Sequence, residues 1–224
     1  MSTELLILGA GGNSLGIVDA IEAANLAGDP VRRIVGFLDD LPENRGTECM
    51  GYPVLGTIAD APKFPNCLLV NGISSVASFR KRAEIVARTG AGPEKFANVI
   101  HPAAVVSPRA QLGTGCVVLA NSVICPFASL GDHVLILQGS TVNHHTRVGR
   151  CATLSAGVTL LGYVEVQDGA FVGGGVSVAP YVKIGAEALV GMGAVVVRNV
   201  EPGCVVAGNP ARALKGSRYG QPPL

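Results

Sequence analysis

Val142-Asn143-His144-His145-Thr146-Arg147-Val148-Gly149-Arg150-Cys151-Ala152-Thr153-Leu154 places an aliphatic residue at every sixth position, and the step continues in both directions. From Ile100 it runs through Val106, Leu112, Val118, Ile124, Leu130 and Ile136, and past Leu154 through Leu160, Val166, Val172, Val178, Ile184 and Val190 to Val196, without a slip. Four residues after each comes a second set that is small or β-branched, opening with Ala104, Ala110 and Cys116 and closing with Ala188, Ala194 and Val200. A helix repeats near 3.6 residues and a plain strand at 2, so neither accounts for a step of six. The period is that of a parallel β-helix: each hexapeptide supplies a short strand and a turn, and stacking buries what one repeat leaves open.

A slower rhythm fixes the shape of the coil. Gly113, Gly131, Gly149 and Gly185 follow a step of eighteen, with Gln167 in the one interrupted place. Eighteen is three hexapeptides, so one coil is a triangle with a special corner. Residues eighteen apart then stack at about 4.8 Å, the spacing of neighbouring strands.

The 224 residues allow one large or two modest domains. Hydrophobic content is 48% with only 4% aromatic and no Trp, the balance of a Val, Leu, Ile and Ala core. A net charge of +1 gives no electrostatic footprint for nucleic acid. No apolar run reaches membrane-spanning length. Met1-Ser2-Thr3-Glu4 lacks the n- and h-regions of a secretory signal, so a cytoplasmic location is expected. The six cysteines show neither framework spacing nor CxxC, which predicts reduced thiols and no zinc site.

Ahead of the repeats, residues 4–8 are strand-like and lead into Gly9-Ala10-Gly11-Gly12-Asn13-Ser14-Leu15-Gly16, then a helix to about Ala27. Strand, glycine turn and helix open a Rossmann-like βαβ unit, where backbone N–H groups and the helix N-terminus favour a phosphate. Glycine loops of this kind also serve close packing alone. Asn13 or Ser14 is expected to cap the helix. A second strand, 33–38, ends in Asp39-Asp40, which reads as a ribose or base contact or as a solvated turn. A third, 67–70, ends in Asn71-Gly72 and precedes a helix over 76–88 with Arg80, Lys81 and Arg82 in its first turns. The expected organisation is an α/β Rossmann-like domain over 1–98, a β-helix over 99–201, and a C-terminal segment over 202–224. That segment holds a closing turn or short helix at 211–215 and a loose tail from 217.

Three of the four histidines, His133, His144 and His145, fall in the middle of the coil. His144 and His145 occupy turn positions, so their rings project outward. The column through His144 in steps of eighteen reads Pro108, Pro126, His144, Gly162, Pro180. Gly162 leaves room for a ligand and offers a backbone N–H. An imidazole beside such a donor supplies what acyl transfer needs, a base for the nucleophile and a donor for the oxyanion. Two solvated turn histidines remain the plain alternative. A metal is not expected, since adjacent histidines at a turn share one ion poorly and no third ligand has a suitable spacing.

The Gly9-Ala10-Gly11-Gly12 loop, Phe37-Leu38-Asp39-Asp40, Ile100-His101-Pro102, the segment from Ser140 to Gly149, and Val206-Ala207-Gly208-Asn209-Pro210-Ala211-Arg212 carry a resemblance. Over residues 5–215 the chain resembles bacterial sugar acetyltransferases of the left-handed β-helix superfamily. The similar group contains sialic-acid O-acetyltransferases and nucleotide-activated 4-amino-sugar N-acetyltransferases. The resemblance implies the left hand of the coil, a homotrimer, and active sites shared between subunits. It implies His144 as general base, Gly162 as donor to the thioester oxygen, and His145 in the catalytic constellation. It also implies a sugar-nucleotide module with Gly9, Gly11, Gly12 and Asn13 near phosphate, Asp39 and Asp40 near base or ribose, and Asn71 and Gly72 beside them. Acetyl-CoA would lie along the groove between two neighbouring solenoids, against Gly173, Gly191 and Gly193, with Asn209, Pro210 and Arg212 near its phosphates.

The chain departs from that pattern in three places. His145 stands where a carboxylate commonly follows the base, Asn13 where a histidine is common, and Leu137 where a polar residue is common, which predicts a more apolar acceptor pocket. The expected function is acetyl-CoA-dependent N-acetylation of a nucleotide-linked amino sugar, such as a 4-amino-4,6-dideoxy sugar, for surface glycan synthesis, including lipopolysaccharide. O-acetylation of a sugar such as a sialic acid, and a non-catalytic sugar-nucleotide-binding subunit, are the alternatives.

Overall fold

In the computed structural model, residues 3–28 and 32–214 are described. Each aliphatic residue from Ile100 to Val196 is the second member of a two-residue strand, from Val99–Ile100 to Val195–Val196. Every such strand pairs in parallel with residues eighteen away, as in Val123 with Thr141 and Ile124 with Val142. Three ladders result, and they form the three faces of a β-helix. The second member of each strand points inward. Ile124 to Val196 line a continuous buried core, whereas Ile100, Val106 and Leu112 are only half-buried, because no coil lies below them. Polar members of the small inward set are satisfied across the tube. Ser122 Oγ donates to the Leu137 carbonyl (3.1 Å), Ser140 Oγ to Ser155 (2.9 Å) and Thr146 Oγ1 to Leu161 (2.9 Å). The special corner is real: a Cβ on Gly131 would stand 2.8 Å from the Arg150 backbone nitrogen in the next coil.

The first 98 residues build a sheet from β1 (Thr3–Leu8), β2 (Arg32–Leu38), β3 (Glu48–Cys49), β4 (Tyr52–Gly56) and β5 (Leu68–Asn71). Its order is β3-β4-β2-β1-β5, with β4, β2, β1 and β5 parallel and β3 antiparallel to β4. Helix α1 (Gly12–Leu26) lies between this sheet and the first coils. It packs so closely that a Cβ on Gly16 would meet Leu119 at 2.9 Å. One apolar cluster, including Leu5, Ile7, Ile17, Val117, Leu119 and Leu135, therefore runs across the 98/99 junction.

Several expectations are corrected here. β3 and β4 were not anticipated, being short and spaced by turn residues. The N-cap of α1 is Gly11, without a side-chain cap. Ser14 instead donates to the Gly9 carbonyl (2.6 Å) and Asn13 to that of Ser74 (2.6 Å), tying the loop to its neighbours. The helix expected over 76–88 is shorter. Ser75 and Ser78 form a local turn, Phe79–Lys81 is a 3-10 turn, and α2 spans Arg82–Arg88. The closing turn or helix expected at 211–215 is, within the described residues, a strand Arg212–Ala213 antiparallel to Val205–Ala207. Residue 215 and the expected loose tail lie outside the described residues.

Arg82 joins the two halves. Its side chain is fully buried, and its donors reach the carbonyls of Cys151 (3.1 Å), Ile73 (2.5 Å) and His133 (2.6 Å). Burial lowers its pKa to about 10, so the guanidinium stays charged at neutral pH.

Candidate functional site

A cavity of about 750 Å³ opens where β1, β2 and β5 end. Gly9, Gly11, Gly12, Asn13, Asp39, Asp40 and Gly72 line it, so most of the expected substrate residues share one wall. The glycines differ in why they are glycine. Gly9 has φ +87° and lies against Ile73, and Gly72 lies against Ser14, which are demands of the fold itself. Gly11 and Gly12 have ordinary φ and open space where a Cβ would go. Nothing among the described residues requires glycine there, and the bare backbone at the α1 N-terminus leaves a phosphate free approach.

Asp39 is buried, and its carboxylate accepts from Ala10 N (2.7 Å) and Leu41 N (2.8 Å), holding the loops that shape the cavity. Asp40 accepts from Ile58 N (3.1 Å) and pairs with Arg88 (2.8 Å). Asn71 does not line the cavity. Its amide is buried, Oδ1 accepts from Ile73 N (3.0 Å), and Nδ2 has no partner among the described residues. Lys81, Glu84, Ile85 and Arg88 also face the cavity and were missed. Their i, i+3, i+4, i+7 spacing marked one face of a helix and was the available signal. At the rim Ser74 Oγ meets Thr153 Oγ1 at 2.7 Å, so the cavity abuts the first face of the coil (Val99, Val117, Leu135, Thr153, Phe171, Leu189).

His144 and His145 stand elsewhere. Both are exposed, on the corner between the second face (Val105, Val123, Thr141, Thr159, Ser177, Val195) and the third (Gln111, Ser129, Arg147, Glu165, Lys183). The N-terminal unit covers the first face, so this corner is the one opposite it. The His144 ring lies over Gly162: a Cβ there would be 2.5 Å from Cε1 and 2.8 Å from Nε2. Gly162 is itself buried, which corrects the expectation that it leaves room for a ligand; the imidazole takes that room. Its neighbours Leu161 and Tyr163 spend their N–H groups on Val178 and His144 carbonyls, while the Gly162 N–H has no partner among the described residues.

His144 Nδ1 lies 3.2 Å from His145 Nδ1. The His145 ring is stacked between Phe127 (5.0 Å between centroids) and Tyr163 (4.7 Å), and Tyr163 stacks on Tyr181 (5.0 Å). This ladder escaped the sequence reading, although 127, 145, 163 and 181 follow the same step of eighteen.

Gly173 and Gly191 are buried, and a Cβ on Gly173 would come within 2.7 Å of the Val190 carbonyl, so close stacking of coils explains that glycine. Gly193, Asn209, Pro210 and Arg212 are exposed at the last coil. Val195 N to Gly208 O (3.0 Å) and Ala211 N to Val195 O (2.8 Å) fold that segment back on the coil. Leu137 packs against the apolar cluster under the sheet, on the first face. It is therefore remote from the histidine corner of its own chain. Among the described residues, no group of three or more His, Cys, Asp or Glu side chains could hold a metal. No described helix is long and apolar enough to cross a membrane.

No family model matches the chain, and no curated protein does. Solved structures do. The acetyltransferase domain of PglB from Neisseria gonorrhoeae, in complex with acetyl coenzyme A, superposes with a TM-score of 0.82 at 28% identity, over 96% of this chain and 100% of that one. PerB from Caulobacter crescentus, in complex with CoA and GDP-perosamine, gives 0.80 at 30% identity, over 94% and 97%. WeeI from Acinetobacter baumannii, at 24% identity and a TM-score of 0.59, shares the fold. The fold and the exposed imidazole corner thus define an acetyltransferase built on a hexapeptide-repeat β-helix. At 30% identity over nearly its whole length, the chain belongs to the sugar acetyltransferase family.

Proposed function

We propose that the protein moves an acetyl group from acetyl-CoA to the amino group of a nucleotide-linked sugar, with His144 as general base, in a left-handed coil. One observation carries this reading: an exposed imidazole with its Nδ1 engaged and its Nε2 without a partner among the described residues, seated on a glycine whose N–H is left out of the ladder. The sugar amine attacks the thioester carbonyl as Nε2 takes its proton. The oxyanion accepts from the Gly162 N–H, and collapse of the tetrahedral centre breaks the C–S bond, the departing sulfur taking the proton from Nε2 to leave as the CoA thiol. A sugar amine near neutrality needs less help from a base than a hydroxyl, which favours N- over O-acetylation.

The 750 Å³ cavity fits the sugar nucleotide, with phosphates at Gly11 and Gly12 and the base or ribose toward Asp40. The bound GDP-perosamine of PerB supports the substrate class. Cavity and His144 lie on opposite sides of one coil, so a complete site takes the cavity of one subunit and the imidazole of another. The second face carries no charged side chain in the column from Val105 to Val195, a surface suited to a homotrimer. Acetyl-CoA would run along the groove between two neighbouring solenoids, with its phosphates near Arg212. The product suits surface glycan assembly in the cytoplasm.

Thiol release from acetyl-CoA, measured with UDP-, GDP- and dTDP-linked amino sugars, tests the reading. Turnover is expected with one of them, and His144→Ala should lower kcat roughly 10²–10⁴-fold while acetyl-CoA still binds. Tight sugar-nucleotide binding without thiol release would establish a non-catalytic subunit instead. Light scattering should give a trimer; an active monomer would sink the shared site.

A further inference from the structure

Through the middle coils the left-handed turn position occurs once per corner, and the three corners fill it differently. At the corner that follows the first face it is held by Asn121, Gly139, Gly157, Gly175 and Gly193, the residue types that tolerate positive φ. At the histidine corner the same position holds Phe127 (φ 63°), His145 (59°), Tyr163 (61°) and Tyr181 (64°). Bulky residues there are strained by about 1–2 kcal/mol each. Strain of this kind is sustained where surrounding structure over-determines it, and it gathers at functional sites. Here the rings stack on one another, and each aromatic contact returns about 0.5–1.5 kcal/mol.

What the stack holds is the imidazole that touches His144. Stacked on Phe127 and Tyr163, the His145 ring keeps its plane, and its Nδ1 faces His144 Nδ1 at 3.2 Å. A hydrogen bond between two ring nitrogens carries one proton. If His144 Nδ1 donates, its Nε2 is the basic nitrogen; if His145 Nδ1 donates, His144 Nε2 bears the proton and cannot serve as a base.

We propose that His145, clamped by the Phe127–Tyr163–Tyr181 ladder, is a positioning residue that accepts the His144 Nδ1 proton and so fixes Nε2 of His144 as the basic nitrogen. This rests on the reading of His144 as general base. His145 in turn keeps its own proton on Nε2. A neutral ring thus does by stacking what a carboxylate would do by charge, and its orientation is set by three neighbours eighteen residues apart.

His145→Phe keeps the stack, and Phe127 shows that phenylalanine is accommodated at this turn position, so the variant is expected to fold. It should lower kcat about tenfold or more, with KM for both substrates unchanged. His145→Asn should recover most of the loss, because its Oδ1 stands where Nδ1 stood and asparagine tolerates the left-handed backbone. ¹⁵N chemical shifts should show His144 with Nδ1 protonated and Nε2 unprotonated in the native protein, and a mixture of tautomers in His145→Phe. An unchanged kcat together with an unchanged His144 tautomer in His145→Phe would overturn the proposal. Full activity in His144→Ala would instead overturn the assignment of the base, and the tautomer readout would still decide whether His145 orients its neighbour.

Discussion

The corner bearing Gly139, Gly157 and Gly175 and the corner bearing His145, Tyr163 and Tyr181 have the same backbone and opposite side chains. One relieves the left-handed turn by omitting a side chain; the other keeps a ring at every step and recovers the strain by stacking. A third corner takes an intermediate course. There His133 (φ 58°) and Cys151 (φ 57°) share the column with Gly115, Gly169 and Gly203, and their carbonyls face the buried Arg82 guanidinium. The difference separates duties: one corner only turns the chain, one presents chemistry, and one anchors the N-terminal unit.

The largest effect is expected at the anchoring corner. Arg82→Met removes the donors to three carbonyls while keeping the length of the side chain. At about 1–3 kcal/mol for each buried group left unpaired, unfolding in urea should show a loss of about 3 kcal/mol or more. A loss below 1 kcal/mol would mean that the anchor is not what joins the two halves.

The same corner should respond to acid. Burial pushes the His133 imidazole down from 6.5 to about 4, against the opposing pull of Asp132 and with Arg82 and Arg150 adding to the shift. The unfolded chain takes up this proton below about pH 6.5, and the folded chain only below about 4. Stability is therefore full above the first value and falls as pH drops between them, by at most about 3 kcal/mol. His133→Asn suits the turn and does not titrate, so its urea midpoint should vary less over that window. Identical slopes would remove His133 from the account.

Smaller effects sharpen the contrast between the other two corners. Gly157→Ala meets no atom closer than 3.9 Å, so its cost is conformational alone, about 1 kcal/mol. Tyr181→Gly relieves a left-handed tyrosine and loses one stack, terms of about 1–2 and 0.5–1.5 kcal/mol, and the net change should stay within about 1 kcal/mol. A clear stabilisation by Tyr181→Gly would show that the rings are retained at a net expense to the fold.

The coil was legible because its core repeats: an inward aliphatic every six residues, and a corner glycine every eighteen, leave little freedom in register. The glycine loop and Asp39-Asp40 were legible for a related reason, since close approach and strand ends select particular residue types. Less could be read where one residue type serves two purposes. Gly11 and Gly72 look alike in a sequence, yet open space surrounds the first and Ser14 presses on the second. Asp39 looked like a free carboxylate and is engaged by two backbone N–H groups. Arg82 read only as one of three cations in the first turns of a helix and is the most deeply buried charge among the described residues.

By itself the sequence determined the solenoid, its triangular section and the outward turn that carries His144, because those follow from local periodicity and strand stacking. The tertiary structure alone decided which face the N-terminal sheet covers, and hence that the cavity and the imidazole corner lie on opposite sides. It also decided that Arg82 is buried between the two halves, on carbonyls of the coil. Each of these depends on packing between distant segments, which a repeat of six residues does not encode.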